Sequence, residues 1–144
     1  MKDYEKVIIS SGFNKSDLSL LSLEESDEVI KKIRIIFSEV SPENEELSGD
    51  RSCFEYSKLL SDIYYSISND SLCYIYTDDF KYCGIFLVNA RKAIEYALNI
   101  AKKDYQNTCF LLDKSFVYSI TINYYDKEHS DDPNTFDIQR RKIN

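Results

Sequence analysis

The 144 residues carry 25 Asp and Glu against 18 Lys and Arg, a formal charge of −7, which argues against a sequence-independent hold on nucleic acid or on an anionic membrane surface. One His, three Gly and no Trp leave out most of the imidazole that neutral-pH chemistry recruits and the clustered Gly of phosphate-binding loops. Twelve Tyr and eight Phe suit instead a surface that binds another macromolecule, because Tyr joins a large rigid contact area to a polar tip.

Along the chain, the N-terminus MKDYEKVIISSGF has scattered charges and only three consecutive aliphatics, too few for a signal-peptide core, so a cytoplasmic, non-membrane protein is expected. A short helix fits within residues 2–11. Ser22 and Glu25 have capping-box spacing, and Val29, Ile30, Ile33, Ile36, Phe37 and Val40 follow with helical period until Pro42, which predicts a helix over 23–40. Residues 41–52, with Pro, Gly and several acids, read as an exposed connection. Residues 24–50 hold nine acids against three bases, so most of the chain's negative excess lies there. Tyr56, Leu59, Leu60, Ile63, Tyr64 and Ile67 then make a second amphipathic helix that Asn69 and Asp70 end.

Beyond residue 70 the period shortens. Leu72–Thr77 and Lys81–Val88 read as a hairpin around Asp78, Asp79 and Phe80. Asn89 is placed to cap a third helix whose inward stripe is Ala90, Ala93, Ile94, Ala97, Leu98 and Ala101, with Gly84 as a flat spot beneath it. A turn at 104–107 leads into the strand Thr108–Leu112, and a turn at 113–115 into the long strand Phe116–Tyr125, apolar on one face and mostly polar on the other. The expected architecture is α+β in a single domain, 1–144. Residues 1–70 are mainly helical, 71–126 form a ββαββ unit with a mainly antiparallel four-stranded sheet, and 127–144 are a polar C-terminal tail. A right-handed crossover through the third helix would make the strands before and after it parallel, bringing Asp78, Asp79 and Asp126 to one rim. Glu128, Asp131, Asp132 and Asp137 would follow nearby.

The chemistry motifs are sparse. His129 sits in a polar segment where a solvated role outweighs a catalytic one. No GxSxG, SxxK, calcium-loop or CxxC pattern occurs, so no catalytic residue, metal ligand or cofactor site is assigned and no enzyme is expected. Cys53, Cys73, Cys83 and Cys109 read as reduced thiols, most of them in apolar runs. Tyr56, Tyr64, Tyr96 and Tyr118 fall on or beside apolar stripes and read as core. Tyr74, Tyr76, Tyr82, Tyr124 and Tyr125 crowd the strand ends beside the acids. An aromatic anchor beside a steering charge is how a partner surface is built, because aromatics carry interface energy and charges set encounter rate. The candidate partner-binding residues are therefore Tyr76, Asp78, Asp79, Tyr124, Tyr125, Asp126, Glu128, Asp131 and Asp132.

The stretch NARKAIEYALNIAKKD, followed by TCFLLDKSFVYSITINYYD and an acidic segment, resembles the cytoplasmic immunity proteins encoded beside bacterial contact-dependent growth-inhibition toxins, over about residues 70–140. That resemblance implies a non-enzymatic protein that binds the C-terminal domain of one cognate toxin, often a basic nuclease, and blocks its active site. It transfers no individual residue, because the class has no shared catalytic motif. An adaptor or antitoxin-type interaction module is the alternative reading, and a small-ligand-binding or enzymatic domain using the open face of the sheet is a further one.

Overall fold

The computed structural model describes residues 4–38, 44–49, 53–79, 83–126, 131 and 135–143. Its elements in chain order are α1 (Tyr4–Ser10), a 3-10 turn (Lys15–Asp17), β1 (Ser19–Leu20), α2 (Leu23–Ser38), β2 (Asn44–Gly49), α3 (Cys53–Ser66), β3 (Leu72–Tyr76), β4 (Phe86–Asn89), α4 (Ala90–Lys103), β5 (Thr108–Asp113), β6 (Tyr118–Tyr124) and β7 (Phe136–Lys142). The strands form one sheet in the order β1-β4-β3-β5-β6-β7-β2, and every neighbouring pair is antiparallel. The fold is α+β, as expected, but the sheet has seven strands among the described residues and not four.

Three of those strands lie where the sequence suggests none. β2 occupies the acidic segment taken for a connection, β7 occupies the segment taken for a polar tail, and β1 is a two-residue edge. Asn-Glu-Glu-Leu-Ser-Gly has little intrinsic strand preference, and β2 is a strand because its whole length pairs with β7, from Asn44 opposite Arg141 to Gly49 opposite Phe136. β7 in turn buries Phe136 and Ile138. β4 starts at Phe86, so the described residues Cys83 to Ile85 of the predicted strand lie outside it, and Cys83 N donates to Asp79 O at 2.9 Å.

Local signals account for the helices. Ser22 Oγ accepts from Glu25 N at 3.2 Å while Glu25 Oε1 accepts from Ser22 N at 3.3 Å, so α2 starts on a reciprocal capping box. Asn89 Oδ1 accepts from Lys92 N at 3.0 Å and starts α4. The six predicted inward residues of α4, Ala90 to Ala101, are all buried, and Lys102 and Lys103 close the helix where its dipole favours cations.

The sheet separates two packed layers. On one side Cys73, Ile75, Phe86, Val88, Cys109, Leu111, Ile120, Ile122, Phe136 and Ile138 meet the apolar faces of α1, α3 and α4. On the other, Tyr74, Tyr76, Ile85 and Leu112 meet Val29 and Ile33 of α2. β4 and β5 are each antiparallel to β3, which lies between them, so they run parallel on either side of it as the crossover through α4 requires. Gly84 corrects one expectation: with φ at +81°, a Cβ there would lie 2.6 Å from Leu20 Cδ1, so it makes room for β1 and not for α4. The glycine that faces α4 is Gly12, where a Cβ would meet the Tyr96 ring at 2.6 Å. No helix among the described residues is long and apolar enough to cross a membrane.

Candidate functional site

Strand register settles which loops share an end of the sheet. Tyr76 at the end of β3 is opposite Phe110 near the start of β5, Thr108 is opposite Asn123 near the end of β6, and Tyr124 is opposite Phe136 at the start of β7. Asp78 and Asp79 after β3, the turn at 104–107 before β5, and Tyr125 and Asp126 after β6 therefore line one rim. At about 4.8 Å per strand the rim spans roughly 15 Å from β3 to β7. Asp126 and Asp131 are exposed, and Asp131 belongs to the β6–β7 connection that leaves from this rim. Glu128, Asp132, Tyr82 and His129 lie outside the described residues.

The electrostatics of the rim are those of crowded like charge. Asp78 is exposed and makes no hydrogen bond or ion pair with described residues; partial desolvation, with Asp104 and Asp79 nearby, raises its carboxyl above the usual range. Asp104 Oδ2 accepts from Gln106 N at 3.1 Å and from Thr108 N at 3.3 Å, which holds that carboxylate at the rim by the backbone of its own turn. Between these acids Tyr105 is 86% exposed. Lys102 Nζ stands 5.8 Å from the centre of the Tyr124 ring, and Lys103 Nζ donates to Ser10 O, so the nearby cations are engaged with an aromatic face and with α1.

Two sequence assignments change here. Tyr76 is not a surface anchor: it is buried beneath α2 and stacks on Phe110 with ring centres 5.4 Å apart. Tyr74, on the same side of the same strand, is buried with it. Strand ends face solvent only where no layer covers them, and α2 covers this one. Asp137, grouped with the rim acids, is buried inside β7, where it accepts hydrogen bonds from Asn123 Nδ2 at 2.8 Å and from the Tyr125 hydroxyl. Tyr125 is thus tethered through its tip, and it offers the rim its ring more than its hydroxyl.

No family model, curated protein or solved structure matches this chain. The site therefore stands on its own geometry. Asp104 and Tyr105 are the rim residues that sequence reasoning missed, because a four-residue turn between a helix and a strand is ordinary connecting structure until register shows which turns are neighbours. The available signal was Asp-Tyr, the same pairing singled out at Tyr76 to Asp79 and Tyr124 to Asp126. Among the described residues no group of three or more His, Cys, Asp or Glu side chains is arranged to hold a metal ion. Chemically, the rim offers carboxylate acceptors and aromatic faces.

Proposed function

We propose that this chain is a non-enzymatic immunity protein of the contact-dependent growth-inhibition type, which works in the cytoplasm by binding the basic C-terminal domain of one cognate toxin and covering its active site. The observation that carries the reading is the convergence of Asp78, Asp79, Asp104 and Asp126 with Tyr105 and Tyr124 on one rim. Folding brings Asp78, Asp79 and Asp104 together although desolvation first, and then repulsion from Asp104 and Asp79, favour the protonated form of Asp78. A basic partner relieves that repulsion on binding, so like charges that weaken the free protein strengthen the complex. Exposed Tyr beside the acids supplies the contact area that charge alone does not.

The test is co-expression with the toxin domain encoded next to this chain's gene, followed by purification and kinetics. A stoichiometric complex that protects the toxin's active site, and that forms more slowly when Asp78, Asp79 and Asp104 are changed together to Asn, is the expected result. A complex indifferent to all three changes would move the interface elsewhere, and the absence of any complex would overturn the immunity reading.

A further inference from the structure

On the side of the sheet away from α2, the helices α3 and α4 leave a cleft of about 270 Å³ between them. Two rows of α3 side chains line it, each stepping by four residues as neighbours on one helix face do: Tyr56, Leu60 and Tyr64 in one, Ser57, Ser61 and Tyr65 in the other. Tyr56, Leu60 and, from α4, Ile94 are buried and make an apolar floor. The second row is small at Ser57 and Ser61 and becomes large only at Tyr65, which leaves the space open. Glu95 of α4 completes the wall.

We propose that this cleft binds a small, free quaternary ammonium compound, with the charged head between Tyr65 and Glu95 and its methyl groups over the apolar floor. Three observations support it, and none depends on the role of the acidic rim. The first is a carboxylate left without a cation. Arg91 and Lys92 are the bases one helical turn before Glu95, where a base ordinarily pairs with an acid. Both are committed elsewhere: Arg91 Nε and Nη2 donate to Ile67 O at 3.0 and 2.7 Å, and Lys92 Nζ donates to Asp17 Oδ1 at 3.2 Å. Glu95 is exposed and makes no hydrogen bond or ion pair with described residues. The second is an open aromatic surface. Tyr65 is 76% exposed, and its ring stands nearly perpendicular to that of Tyr64, at 82° with centres 5.1 Å apart. Arg91 already sits 5.1 Å from the centre of the Tyr64 ring without lining the cleft, so Tyr65 is the ring whose face is open to a ligand cation. An aromatic face beside an unpaired carboxylate selects an organic cation, and a quaternary head adds methyl groups for the floor to bury. The third is size: the volume lies just below that of sites for drug-sized molecules, about 300 Å³ and upward, which suits a ligand of a few carbon atoms.

The experiment is a titration of the isotopically labelled full chain, read by backbone amide shifts, with choline, its uncharged carbon isostere neohexyl alcohol, and phosphatidylcholine vesicles as separate probes. Saturable shifts with choline, confined to residues 56–65 and 94–95, are expected. Tyr65→Ala and Glu95→Gln should each weaken choline binding about three- to tenfold, the size of one cation–aromatic or ionic contact at a partly exposed site. Both side chains are exposed, so neither change should disturb the fold, and Tyr65→Phe, which keeps the ring, should bind as the unaltered chain does. No saturable shift, or shifts insensitive to both Tyr65→Ala and Glu95→Gln, would overturn the site. Equal binding of neohexyl alcohol would overturn the cation, loss of binding in Tyr65→Phe the role of the ring face, and binding of the vesicles without binding of choline the free ligand.

Discussion

Folding leaves Asp78 among like charges, and the consequence is measurable. Desolvation, then Asp104 and Asp79, raise its carboxyl above the ordinary carboxylate range, so the folded protein holds that proton more tightly than the unfolded chain does. The stability linked to Asp78 is therefore full below the unfolded carboxylate range and is lost as pH rises through the raised folded value. Asp78→Asn should raise stability near pH 7 by about 0.5 kcal/mol or less, as befits an exposed charge, and the gain should vanish in acid. Thermal melts of both proteins across pH 3 to 7 check the sign. Asp137 is the opposite case, because its partners are built in. Asp137→Ala would strand the Asn123 amide and the Tyr125 hydroxyl in a partly buried setting and should cost about 1–3 kcal/mol in urea unfolding. A cost near zero would mean that water replaces the carboxylate there.

Among the elements, α4 is the one on which both the core and the rim depend. Its alanine stripe brings the axis close to the sheet, and the turn that follows it carries Asp104 and Tyr105. Ala93 is fully buried, so Ala93→Leu forces three extra carbons into a packed seam and should cost about 1–3 kcal/mol. Displacement of the helix should also misplace its C-terminal turn, so melting temperature and partner affinity should fall together. A wild-type melting temperature would contradict the packing described for this face. Gly12 tests the same helix from outside. Its φ of +141° disfavours any L side chain, and the Tyr96 ring that blocks a Cβ is itself held edge-on against Phe13 at 5.3 Å. Gly12→Ala should therefore destabilise by more than the 0.4–1 kcal/mol, roughly, that such a change gains where the backbone is compatible.

At the scale of the molecule, charge is distributed between two ends of one sheet, acids at the β3–β7 rim and Arg140 and Lys142 at the other. Association with a basic partner should be steered, so its rate should fall as salt rises past the screening range, and the triple Asp→Asn variant should flatten that dependence. Stopped-flow association at low and physiological salt separates steering from contact, since a contact effect would appear in the dissociation rate. The thiols report on the core as a whole. Cys73, Cys83 and Cys109 are buried and free, and burial pushes the Cys73 and Cys109 thiols up, away from the reactive thiolate. A thiol reagent should label the native protein slowly at these positions, and non-reducing denaturation should release four free thiols, one for each cysteine in the chain. Fewer than four would show a disulfide and contradict the reduced state of the cysteines.

Local physics was enough for the elements whose signals are local. Ser22 with Glu25, the stripe from Tyr56 to Ile67, and Asn89 with the stripe from Ala90 to Ala101 each place a helix by capping or by a period of 3.6, and α2, α3 and α4 lie where those signals put them. The alternation after residue 70 likewise placed β3, β5 and β6 and their shared rim, because each pairs through a short connection or one crossover. β2 and β7 were decided by the tertiary structure alone. Their residues have no strand preference strong enough to be read in isolation, and they become strands by pairing with each other and with the edge that β6 presents. The same distinction separates the site residues. Asp78, Asp79 and Asp126 follow strands and were legible as turn acids, whereas the burial of Tyr76 under α2, the capture of Asp137 by Asn123 and Tyr125, and the approach of Asp104 to Asp78 depend on which layer covers which strand and which turns become neighbours. Layering and adjacency join residues far apart in the chain, and no periodicity within a segment encodes them.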